Sequence, residues 1–372
     1  VTDVFFRRSS YDDSALKADI FAMFAATGLS FARGDRVLIK PNLLLPASPE
    51  KAVLTHPKVV CAVAAYVLER GGRPLVADSP ATGSMGKILR TGGFEKALAT
   101  LDVPCRGFAA AVKVDVGPPF GVIEIAREAM ETDVVINLPK LKTHAMMHMT
   151  LGVKNLFGCV VGLAKPQWHF RVGVDKALFA ELLVRISRAV APSVTLVDGI
   201  LAMEGQGPGK GGIPRHLGLL VAGRKPVAVD MAISQILGCD PLGLETSRAA
   251  VRLGLAPGVP KIHGEFSPVK NFRFPTPGPV TFGPRPFHSF FRRHLVQRPV
   301  ACGRRCRLCG KCWKYCPAKA ITADTETIRF DYDACIRCYC CLEICPHGAL
   351  EAVETPVGRL VRLLKARARA NG

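Results

Sequence analysis

Eight of the ten cysteines that follow residue 300 fall into two copies of one interval, Cys-x2-Cys-x2-Cys-x3-Cys-Pro. The first copy is Cys306, Cys309, Cys312, Cys316 and Pro317; the second is Cys335, Cys338, Cys341, Cys345 and Pro346. Three thiolates this close on a tight loop can reach three irons of one cubane, while the fourth, followed by proline, turns away from them. The spacing therefore predicts two [4Fe–4S] clusters. Paired Cys-x2-Cys also suits tetrahedral zinc. A third cysteine at the same interval and the Cys-Pro ending speak against that metal.

Over roughly residues 297–355 the chain resembles the two-cluster bacterial ferredoxin domain, including Ala320-Ile321 and Ala349-Leu350 after each Cys-Pro. The resemblance implies crossed ligation, in which the fourth cysteine of each copy serves the other cluster. Cys306, Cys309, Cys312 and Cys345 would then share one cluster, and Cys335, Cys338, Cys341 and Cys316 the other. Cys302 and Cys340 stand outside the pattern as spare thiols, alternative ligands or hydrogen-bond neighbours, with the spectator reading favoured.

A length of 372 residues suggests two or three domains. No apolar run approaches the ~18 residues of a membrane-spanning helix, and the N-terminal residues are not those of a secretory signal. The remaining cysteines, Cys61, Cys105, Cys159 and Cys239, form no disulfide framework and are expected as small buried residues. A cytoplasmic location is the expectation. The formal net charge of +20 predicts attraction to an acidic partner. An acidic redox protein or an anionic small molecule fits; no helix-turn-helix, zinc finger or aromatic RNA motif supports nucleic acid. In the tail, Leu360, Val361, Leu363 and Leu364 alternate with Arg359, Arg362, Lys365, Arg367 and Arg369. A helix packed on the cluster domain is favoured there over a peripheral membrane contact.

Between residues 36 and 255, short aliphatic runs alternate with helical segments, the pattern of an α/β domain with a mainly parallel sheet. Strands are expected at Arg36–Lys40, Pro74–Asp78, Asp133–Leu138, Val194–Asp198 and Leu217–Ala222. Helices are expected at His56–Arg70, capped by Thr55, and at Asp175–Ala189 and Val227–Leu237. The division that follows is an α/β domain over residues 1–256, a Pro-, Arg- and Phe-rich linker over 257–296 and a small α+β cluster domain over 297–355. A basic tail covers 356–372. Phe287, Phe290, Phe291, Arg292, Arg293 and Arg298 would anchor the cluster domain or face a partner.

In open parallel sheets, ligands bind outside the carboxyl ends of the strands, and polar residues collect there: Lys40 and Asn42, Asp78 and Ser79, then Asn137, Lys140, Lys142 and His144, then Asp198 and Glu204. Lysines with amides and hydroxyls suit a phosphate or carboxylate. The stretches Val37–Asn42, Val76–Ser79, Asp133–His144, Leu151–Gly158, Val197–Ile200, Met203–Pro208 and Pro226–Asp230 resemble the DUF362 family. That resemblance implies a domain commonly partnered with iron–sulfur clusters. His144 and Lys154 also keep the ten-residue interval seen in the nickel-dependent lactate racemase family. Thr143 stands where that family has proline and the glycine pair before the lysine is missing, so the comparison predicts one shared pocket and not nickel. The glycine-rich Gly205–Gly212 is not a Walker loop, since Lys210 is followed by Gly211; a mobile loop or lid is expected. Met146, Met147 and Met149 beside His148 are expected as adaptable apolar contacts.

The function predicted is electron transfer between the two clusters and a site for an anionic ligand. Lys40, Asn42, Ser79, Lys140, Lys142, Lys154, Asn155 and Asp198 would bind the ligand, and His144 with Asp78 or Glu204 would donate the proton. An electron carrier docking a partner enzyme, and a non-redox enzyme with structural clusters, are the alternatives.

Overall fold

The computed structural model describes residues 2–81, 83–161, 164–172, 175–256, 258–275, 294–360 and 364. Sixteen strands follow in chain order: β1 Asp3–Arg8, β2 Arg36–Pro41, β3 Arg73–Asp78, β4 Cys105–Gly107, β5 Ala111–Asp115, β6 Val122–Ala126, β7 Val134–Leu138 and β8 Lys140–His144. Then come β9 His148–Thr150, β10 Val194–Gly205, β11 Gly212–Gly223, β12 Lys261–His263, β13 Arg298–Ala301, β14 Ile321–Ala323, β15 Ile328–Phe330 and β16 Leu350–Val353. The main sheet runs β12-β1-β11-β10-β7-β2-β3-β4, with β8 and β9 branching from β10. The five strands from β10 to β4 are parallel. All five residues of β7 are buried, as expected for a strand covered on both faces.

The helices lie close to their expected places, with one change of cap. The helix Pro57–Glu69 begins at His56, whose ring accepts from Lys58 N. Thr55, the expected cap, is fully buried and turned inward. Its hydroxyl donates to Leu138 O at 2.7 Å and accepts from Asn42 N at 2.8 Å, tying the end of β2 to the end of β7. A buried hydroxyl with two backbone partners satisfies more polar groups there than a cap would. Asp175 caps Lys176–Val190 as its sequence suggests, accepting from Leu178 N.

Two strands are longer than expected. β10 and β11 have 12 residues each and pair antiparallel, with a shift in register between Gly199 and Leu201. Asp198 thus sits within β10, opposite Lys140 of β8. The boundary expected at residue 256 is also corrected, because β12 pairs parallel with β1 and Phe272 is buried in the core. The first part of the expected linker therefore completes the α/β domain. Phe287, Phe290, Phe291, Arg292 and Arg293 lie outside the described residues. So does most of the tail, of which residues 356–360 are helical and Leu360 and Leu364 are exposed. No helix among the described residues is long and apolar enough to cross a membrane.

The loop between β10 and β11, expected as a mobile lid, is wedged into the seam with the small domain. Gly207 N donates to Thr143 Oγ1 and Ala145 N donates to Gly207 O. A Cβ on Gly207 would lie 2.2 Å from Thr143 O, and one on Gly209 would lie 2.9 Å from Glu343 O. Only glycine lets the loop backbone touch both domains.

Lys140 and Asp198 were expected to bind ligand and instead pair with each other under the sheet. Lys140 Nζ lies 2.7 Å from Asp198 Oδ2, and both side chains are fully buried. Tyr11 Oη donates to Asp198 Oδ1, and His56 N donates to Asp198 Oδ2. Every donor here has an acceptor, so no group is left for a ligand. Removing one member of such a pair leaves a buried charge: Lys140→Ala is expected to cost about 3–5 kcal/mol, read from urea unfolding.

Candidate functional site

The cavity that gathers most of the expected site residues opens between the two domains. Its floor comes from the carboxyl ends of β2, β3 and β8: Lys40, Asn42, Asp78, Ser79, Lys142 and His144 line it, as do Lys154 and Asn155. The shared pocket predicted for His144 and Lys154 is present. The walls add residues the sequence reading missed. Lys165 and His169 come from the helix Ala164–Val172, and Tyr315, Cys340 and Glu343 come from the small domain.

The floor is built from interlocked side chains. Lys142 Nζ donates to Asn42 Oδ1 at 2.8 Å and to Val53 O at 2.7 Å. Asn42 Nδ2 donates to Asn155 Oδ1, and Asn155 Nδ2 donates to Asn137 Oδ1, each at 2.8 Å. Asn137 in turn donates to Gly152 O. Asp78, expected as an acid or base, is fully engaged. Its Oδ1 accepts from Lys40 Nζ at 2.7 Å and from Ser79 N, and its Oδ2 accepts from Leu43 N. Glu204 is outside the cavity, held by Arg215 Nη1 at 2.7 Å and by Arg273 N. Neither is placed to share a proton with His144.

The acid that meets His144 is Glu343. Nδ1 of His144 accepts from Met146 N and Met147 N at 3.1 and 3.2 Å, so the ring proton sits on Nε2. That atom lies 2.8 Å from Glu343 Oε1, close but off the hydrogen-bond axis. Burial lowers the imidazole pKa against the pull of Glu343. Burial alone would raise the Glu343 carboxyl, but His144 and Lys154 outweigh it and hold the group below the usual range. The imidazole and the carboxyl thus face each other across the domain seam and shift each other's titration.

Four lysines line the cavity against two carboxylates, Asp78 and Glu343. Burial brings Lys142 down to about 7 and Lys165 to about 8, and it lowers Lys154 too. Lys165 donates to Ser79 O. Lys154 Nζ rests over the rings of Phe157 and Phe179, 4.8 and 5.4 Å from their centroids. The space open to the centre of a water-sized molecule is about 90 Å³, which suits a small anion.

The small domain's thiols divide into two sets, and the division crosses the sequence repeats. Cys306, Cys309, Cys312 and Cys345 line one cavity. Cys316 has crossed to Cys335 and Cys338, which also neighbour Cys341. Ala320 N donates to Cys316 Sγ at 3.3 Å and Ala349 N to Cys345 Sγ at 3.2 Å, so each alanine after a Cys-Pro supports the crossed sulfur. An all-thiol set with amide–sulfur bonds fits a [4Fe–4S] cluster. Cys340 is buried, interacts with Cys338 and lines the inner cavity. Met146, Met147 and Met149 are core residues.

Signals for the missed residues existed. Lys165 and His169 are four apart, which places them on one helix face. Glu343 is a lone charge between Leu342 and Ile344 inside a cysteine motif.

A family model described as a domain of unknown function, DUF362, matches residues 37–235, and one described as a 4Fe-4S dicluster domain matches residues 305–349. A thylakoid-associated protein of Synechocystis sp. is 41% identical over 301 residues, spanning 78% of this chain and 94% of that protein. Pyruvate synthase subunit PorD of Thermotoga maritima is 39% identical over 57 residues, 15% of this chain and 58% of its own. The lactate racemase apoprotein from Thermoanaerobacterium thermosaccharolyticum superposes on 60% of this chain and 55% of that one, with a TM-score of 0.38 and 12% identity. Matched across more than half its length and nearly end to end with the Synechocystis protein, this iron–sulfur protein belongs to the DUF362 family.

Proposed function

We propose that the chain holds two [4Fe–4S] clusters and exchanges electrons with a small anionic ligand in the cavity between its domains. Cys306, Cys309, Cys312 and Cys345 hold the outer cluster; Cys335, Cys338, Cys341 and Cys316 hold the inner one. The observation that carries the reading is the make-up of the cavity wall: Tyr315 and Cys340, each next to a cysteine of the inner set, face the lysines of the α/β domain. When bound, the clusters supply electrons one at a time.

The remaining work falls to side chains. Lys142, Lys154 and Lys165 neutralise and orient the anion's oxygens. His144 holds a proton on Nε2, and the Glu343 carboxylate lies beside it at the seam. The packed small domain keeps bulk water from the ligand, which strengthens each charge contact. Covalent linkage holds the two centres at high effective concentration.

Ligand binding should depend on pH with a defined sign. An anion favours the charged ammonium, so binding raises the pKa of Lys142 and of Lys165 from about 7 and about 8. Affinity is then full below that window and falls as pH rises through it, with proton uptake on binding inside it. Calorimetry with inorganic phosphate and acetate as probe anions, in buffers of different ionisation enthalpy, reads both effects. Flat affinity across pH 7–8 would sink the assignment.

Lys154 offers a test of the cavity. Lys154→Met should weaken phosphate binding at least about tenfold, read by the same calorimetry. Electron paramagnetic resonance of the dithionite-reduced protein should shift on adding phosphate to the wild type and not to Lys154→Met. Binding without a spectral shift would leave a docking or carrier role in place of electron exchange. For the ligand sets, Cys340→Ala should retain about eight irons per chain, while Cys341→Ala should lose iron and visible absorbance.

A further inference from the structure

The two thiol sets differ in access to solvent. Cys309 of the outer set is exposed, whereas Cys338 and Cys341 of the inner set are buried. The cavity enclosed by the outer set is also lined by Arg307, Lys311 and His347, and Arg307 and His347 are exposed. The α/β domain adds to the same edge through the wedged loop. Lys210 on that loop packs beside His347, since a Cβ on Gly348 would lie 2.9 Å from Lys210 O; Lys51, Lys87 and Lys311 repel its charge, and Lys51 and Lys87 are exposed. Among the described residues the lysines in ion pairs are Lys17, Lys40, Lys58 and Lys140. Neither Lys210 nor the three lysines around it is among these pairs.

We propose that this basic collar docks a small acidic protein that carries one electron at a time, and that electrons enter the chain at the outer thiol set. The collar is drawn from two domains and spreads over an exposed edge, so it presents a surface and not a pocket that would close on a small anion. Charge complementarity on such a surface steers a macromolecular partner and sets its orientation. The electron count agrees with a one-electron donor. Each docking oxidises the carrier by one electron and reduces one cluster by one electron, so two dockings leave one electron on each of the two clusters. A hydride donor would need a group that splits an electron pair, and the outer thiol set provides none. The inference rests on the two-cluster reading above but not on which anion the inner cavity takes.

The test uses the full chain with its clusters, and a reduced plant-type [2Fe–2S] ferredoxin as the acidic probe. The variant is Lys51→Glu/Lys87→Glu, confined to exposed side chains outside the cluster cavity. Calorimetric association with the wild type should weaken as salt rises, and the variant should bind at least about tenfold more weakly. Iron content, reduction by dithionite and phosphate binding in the inner cavity should be unchanged in the variant, which separates this proposal from the fate of the cavity reading. Equal ferredoxin binding by both proteins, or none by the wild type at low ionic strength, overturns it. So does charge-sensitive binding to phosphatidylglycerol-containing vesicles in place of ferredoxin, which would assign the collar to a membrane surface.

Discussion

Burying lysine ammonium groups is the constraint on which the rest of the structure turns. An ammonium taken out of water must find a carboxylate, a set of carbonyls or a ligand, or give up its proton. This chain uses several of these solutions within one domain. Lys140 has Asp198 and is closed off. Lys40 has Asp78. Lys142 and Lys165 have neutral oxygens, and Lys154 has aromatic faces. The graded satisfaction of these groups distinguishes a structural pair from a cavity that can still accept negative charge.

The small domain shares in that constraint. Glu343 supplies the second carboxylate of the cavity and meets His144 across the seam, so the two domains complete one electrostatic unit. The glycines at 207 and 209 permit the close approach on which the contact depends. On the proposed reading, the same packing sets Tyr315 and Cys340, neighbours of the inner set, against the ligand and leaves Cys309 of the outer set exposed, which gives electron flow a direction through the molecule.

Much of this was legible in the sequence because its signals are local. The cysteine interval, the short aliphatic strands and the polar residues at their carboxyl ends each lie within a few residues of one another. Lys40, Asn42, Ser79, Lys142, His144, Lys154 and Asn155 do meet at one cavity. The failures arise where geometry depends on distant partners. Asp198 and Lys140 share a type and a strand-end position with the cavity residues, but their register across β8 and β10 pairs them elsewhere. Glu204 lies in a strand that extends well past its expected end, which carries it toward Arg215. Glu343 belongs to another domain, and no spacing rule links it to His144.

The amide chain beneath the cavity has a polarity. A carbonyl can only accept and a charged ammonium can only donate, so Gly152 O at one end and protonated Lys142 at the other dictate the same orientation of Asn137, Asn155 and Asn42. The two ends together lock three amides, the ends of two strands and the Gly152–Asn155 turn into a single plate. A ligand cannot be accommodated by bending that plate. On the proposed reading, a change of ligand preference comes from the roof, through Glu343, Tyr315 and Pro208, which belong to the small domain and the wedged loop. Exchanging the small domain would then change what the sheet recognises without altering the sheet.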